Sequence, residues 1–135
     1  IEEEALIRWL KNVYLPIDRL LGPIINALPK KLKELSADPY DDELMAAFCR
    51  YIEDGQKRLE KIELIYGSHR LPTSIEDFGL KLYNCLCEVQ EGLNELERYT
   101  MGYVDSYLHD GREMFREAKQ KRLHLKEERR HLTFS

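Results

Sequence analysis

The chain has no apolar run approaching the roughly 20 residues that a membrane-spanning helix needs. It lacks the Gly and Pro density of a disordered segment and the turn signals of a β-sandwich, with only 7 Gly and 5 Pro. There is no Gly-rich phosphate loop, no Gly-x-Ser-x-Gly elbow and no His-Glu-x-x-His pair, so none of the common local signatures of phosphoryl transfer, serine hydrolysis or zinc proteolysis is present. The 3 cysteines, Cys49, Cys85 and Cys87, are too few and too odd in number for a disulfide framework. A reducing compartment, most simply the cytoplasm, fits them. The start IEEEA carries neither a Met nor a signal-peptide pattern, as expected of a trimmed or processed chain.

What the chain does hold is helical material. Hydrophobic residues make up 43% and charged residues 34% of the 135 positions, the mixture of helices with one buried stripe and wide solvated faces. Net charge is −4, unevenly placed. Residues 112–135 carry 8 Lys or Arg against 4 Glu, a balance of +4, which leaves −8 on the remainder. The body repels polyanions, while the tail attracts acidic partners.

Apolar residues recur in steps of three and four from Leu6 through Leu10, Val13, Ile17, Leu20, Ile24, Leu28, Leu32 and Leu35, the helical period. Pro16, Pro23 and Pro29 interrupt this ladder, and an interior proline costs a helix about 3 kcal/mol. The expectation is one helix to about residue 21, kinked near Pro16, then a break at Gly22-Pro23 and a second helix to about 35. SADPYDDE predicts a helix start with Asp38 as cap, followed by a helix ending at Gly67. Thr73-Ser74-Ile75-Glu76 matches a capping box. A ladder from Leu82 through Leu86, Val89, Leu93, Leu96, Thr100 and Tyr103 to Tyr107 then predicts one helix over about 74–108, with His109-Asp110-Gly111 ending or weakening it.

The fold expected is all-α: an antiparallel bundle of three main helices, the first broken by prolines and the last long. Residues 1–135 form one domain, with 112–135 as a basic helical or partly disordered extension. The last helix, about 50 Å long against about 40 Å for its neighbour, should overhang it. Apolar surface left there costs about 25 cal/mol per Å² unless covered. Tyr99, Tyr103, Tyr107, Met114 and Phe115 are therefore the expected partner interface, for a second copy or another protein. Tyrosines suit such a seam because the ring is buried while the hydroxyl stays wet.

Other chemistry is weaker. Cys85 and Cys87, two apart on a helix, point about 200° from each other and do not chelate one ion. His124, Glu128 and His131 share a helical face and form the one metal-like spacing, though Arg129 and Arg130 lie among them and no second shell is evident. Asp105 and His109, four apart, read as a surface pair. The basic run KQKRLHLKEERRH lacks interleaved aromatics to stack bases, so it resembles an exposed ion-paired helix more than a nucleic-acid reader. The function expected is a non-catalytic interaction module with no cofactor and a protein partner or homodimer. A small-ligand or metal-dependent enzyme in the bundle core is the alternative, and a nucleic-acid-binding regulator comes third.

Overall fold

The computed structural model describes residues 2–132, and every element in it is helical. Helix α1 (Glu2–Trp9) passes through a π turn (Leu10–Tyr14) directly into α2 (Leu15–Ser36). Then come α3 (Asp42–Ser68), a 3₁₀ turn (Thr73–Ile75), α4 (Glu76–Gly102) and α5 (Asp105–Leu132). The result is four rods rather than three, because α5 turns back along α4 instead of continuing it.

The expected proline break is absent. Pro23 and Pro29 lie inside α2, both exposed, so their rings sit on the outer face. The irregularity falls earlier, in the π turn, where Leu15 N–H bonds to the Leu10 carbonyl five residues back. This wider turn resets the ladder just before Pro16, which sits at the start of α2 where a missing N–H costs little. Gly22 is not a break either. It is buried, and a Cβ there would meet the Arg122 guanidinium at 2.7 Å. Its bare backbone seats Arg122, which clasps Asp18 through Nε–Oδ1 at 2.8 Å and Nη2–Oδ2 at 3.3 Å. That pair ties α2 to α5.

The start of α3 is one turn later than expected. Asp41, not Asp38, caps the helix by accepting from Leu44 N–H at 2.9 Å, and Asp38 instead accepts from Tyr40 N–H in the preceding turn. The capping box at Thr73 does not form. The segment is a 3₁₀ turn without a side-chain cap, and Ser74 N–H donates to Glu2.

The four rods run alternately up and down. Gly55 of α3 packs on Leu93 of α4, Gly92 of α4 on Phe115 of α5, and Cys85 Sγ lies 3.5 Å from the Ala118 carbonyl. The core runs from Trp9 and Tyr14, both edge-on to Phe78, through Ile17, Phe48, Leu82 and Val89 to Leu93 and Leu96. Tyr66 satisfies its hydroxyl by donating to the Gly79 carbonyl at 3.1 Å, and Tyr51 donates to that of Ile24.

Burial also dictates behaviour at high pH. It pushes the Cys85 thiol from 9.0 up to about 12, and the Tyr14 phenol up to about 12, with Asp18 adding to the latter. Burial raises Tyr51 as well. These groups hold their protons more tightly folded than unfolded, so their contribution is complete below the unfolded values and is lost as pH rises through the folded ones. Urea midpoints are therefore expected to be flat to about pH 9 and to fall between about pH 9 and 12. A thiol reagent should reach Cys85 only after unfolding.

Candidate functional site

The expected helix over 74–108 ends at Gly102. Tyr103 adopts φ 56° and ψ 29°, the left-handed region, and its N–H closes the helix on the Tyr99 carbonyl at 2.8 Å. Gly is the usual occupant of that position, and a residue with a Cβ pays roughly 1–2 kcal/mol for it. Tyr103 is the only non-glycine residue with positive φ among the described residues. Asp105 then opens α5, where a carboxylate favours the helix N-terminus.

This turn removes the overhang and redistributes its side chains. Phe115 is buried against Gly92, and Tyr99 is buried beneath Tyr103. Tyr107 and Met114 are half-buried, with the Arg98 guanidinium 6.0 Å from the Tyr107 ring centre. Residues 112–132, expected as part of a basic extension, lie in α5, with Ala118 and Leu125 buried in the bundle. Of the expected interface residues, Tyr103 is the one that stays open to solvent, 39% exposed.

It does not stay alone. Folding brings Tyr40, from the turn between α2 and α3, to a ring-centre distance of 5.2 Å from Tyr103. Tyr40 is 75% exposed and Met101 76%, with Val104 also open. Tyr103 stands edge-on to Tyr99 at 5.9 Å, so the exposed rings rest on a buried one. The α2–α3 and α4–α5 turns thus form a joint apolar tip of two rings, a thioether and a valine. Both contributing segments are acidic. Residues 37–49 hold four carboxylates and residues 99–111 hold two, with no Lys or Arg in either, and Arg50, Arg98 and Arg112 border them. Burial and the neighbouring Asp105 raise the Tyr99 phenol above its usual value.

Tyr103 was among the residues expected at an interface from the sequence, whereas Tyr40, Met101 and Val104 were not. The one local signal for Tyr40 was an aromatic residue standing in a polar turn, a position that buries nothing on its own.

His124, Glu128 and His131 do not converge. Glu128 accepts from Lys81 at 3.1 Å, and His131 faces Glu127 at 3.8 Å. Among the described residues no group of three His, Cys, Asp or Glu side chains is placed to hold a metal ion. Several cations of α5 are already paired: Arg122 with Asp18, Lys121 with Glu88, Arg116 with Glu113 and Arg130 with Glu127. No helix among the described residues is long and apolar enough to cross a membrane.

The model of the cyanobacterial DnaJ chaperone C-terminal domain family matches residues 1–133. No curated protein and no solved structure matches.

Proposed function

The chain belongs to the family of the C-terminal domain of cyanobacterial DnaJ chaperones, and from that premise we propose that it is a non-catalytic docking module whose tyrosine tip holds another protein. The observation that carries this reading is Tyr103. A bulky aromatic residue occupies a left-handed position that favours glycine, and it spends that strain on presenting a ring to solvent beside Tyr40. Local strain of this kind concentrates at functional sites. Tyrosine and methionine are also the side chains enriched where protein surfaces meet.

The charge around the tip selects the partner. A second copy docking tip to tip would bring each acidic collar against its twin, and like charges juxtaposed at an interface cost several kcal/mol. An unlike partner presenting an apolar segment flanked by Lys or Arg satisfies both the rings and the carboxylates. A protein segment of that chemistry suits a chaperone module, since chaperones act on other proteins.

The test is fluorescence anisotropy with a short apolar peptide carrying lysines at both ends. Tyr40→Ala with Tyr103→Gly is expected to weaken binding about thirtyfold, the loss of two central aromatic anchors. Stability should change by no more than about 1 kcal/mol, because relief of the left-handed strain offsets the lost ring contacts. The same peptide with aspartate ends should not bind. Undiminished affinity of the double variant would reject the tip as the docking site.

A further inference from the structure

A groove of about 590 Å³ lies between α2 and α5, on a different surface from the tyrosine tip. It exists because α5 lies along α4 and meets α2 far less. Pro29 and the half-buried Leu32 offer the apolar surface of its floor, over the buried side chains of Ile25, Leu28 and Phe115. Its walls carry Lys33 on one side and Arg112, Arg116 and Lys119 on the other. Among the described residues no carboxylate lines it, although the whole chain is net acidic at −4. Of the four cations only Arg116 has an ion-pair partner among the described residues, the adjacent Glu113 at 2.9 Å.

The spacing is specific. Arg112, Arg116 and Lys119 stand at i, i+4 and i+7, so they share one face of α5 across two turns. With Lys33 opposite, positive charge flanks an apolar strip on both sides. We infer that this groove docks an acidic amphipathic helix of a protein partner, its apolar stripe on the floor and its carboxylates against the two walls. Helices laid in grooves between helices are read through apolar anchors at i, i+3 and i+4. The flanking charges then set orientation and the rate of encounter. A phosphate backbone fits less well. It would leave Pro29 and Leu32 uncovered, and Phe115, the one aromatic of the lining, is buried and cannot stack on a base.

The inference does not depend on the tip, and its test separates the two. The probe is a labelled helical peptide with leucines on one face and glutamates elsewhere, followed by anisotropy against the whole chain. Arg112→Glu with Lys119→Glu is expected to weaken it by about tenfold or more. Tyr40→Ala with Tyr103→Gly should leave it unchanged. If the double reversal fails to fold, Lys33→Ala with Lys119→Ala, both at exposed positions, should show the same ordering with a smaller loss. A polyglutamate peptide of equal charge should bind much more weakly, because it cannot fill the floor. Equal binding of polyglutamate, of single-stranded DNA or of anionic phosphatidylglycerol vesicles would overturn the inference in favour of unspecific anion attraction. Unchanged affinity in both charge variants would overturn it outright.

Discussion

Gly111→Val is expected to lower the melting temperature by about 10 °C, reflecting a loss of about 3 kcal/mol. On helix propensity alone the change should be slightly favourable, since glycine is the poorest former after proline. Packing decides otherwise. A Cβ at Gly111 would lie 2.8 Å from Leu96 Cδ2 and 3.1 Å from the Gly92 carbonyl oxygen. Gly92 is the matching gap on the other helix, where a Cβ would come within 2.5 Å of the Phe115 ring. The two helices approach through paired glycines, and backbone cannot step aside as a flexible side chain can. Gly67→Ala provides the contrast. It lies in the last turn of α3, and its Cβ would meet nothing within 4 Å. That change should raise stability by about 0.5 kcal/mol. Thermal melts of the two variants read the difference directly. A harmless Gly111→Val would mean that α5 does not lie where it is described.

The second large effect is expected at Asp18. The Asp18–Arg122 pair is mostly buried, with side chains only 18% and 13% exposed. Asp18→Ala removes the only ion-pair partner that Arg122 has among the described residues and leaves the guanidinium over Gly22. Breaking a buried pair from one side costs about 3–5 kcal/mol, and the residual exposure argues for the lower end, about 3 kcal/mol. Replacing both partners with apolar residues of similar size should cost less than Asp18→Ala alone, because no uncompensated charge remains. Urea midpoints across the double-mutant cycle test this ordering. A cost below about 1 kcal/mol for Asp18→Ala would mean that solvent reaches the pair and that it does not fasten α2 to α5.

These residues also show what was legible in the sequence. The helical class followed from the ladders, because a buried stripe must repeat every three or four residues whatever it packs against. The C-terminal end of helix α3 was read to within one residue, while its cap was expected at Asp38, one turn before Asp41. The prolines misled. Their cost is local, but Pro23 and Pro29 face outward, and α2 continues through both of them. The turn at Tyr103 was hidden for a related reason. The apolar period runs unbroken into Tyr107, and the chain places a tyrosine where local chemistry would place glycine. Gly111 looked like a helix stop because glycine's two uses, permitting a turn and permitting close approach, are the same in sequence. Tyr40 beside Tyr103, and Lys33 across from Arg112, are products of folding. Each residue taken alone reads as an ordinary solvated position.

The central claim is that the tyrosine tip holds the partner, and chemical-shift mapping tests it most directly. The chain, isotopically labelled, would be titrated with the lysine-flanked apolar peptide. Perturbed amides are expected at residues 38–44 and 99–106, the two acidic turns, with those lining the α2–α5 groove unmoved. Perturbations confined to that groove, or spread without focus over the surface, would contradict the account.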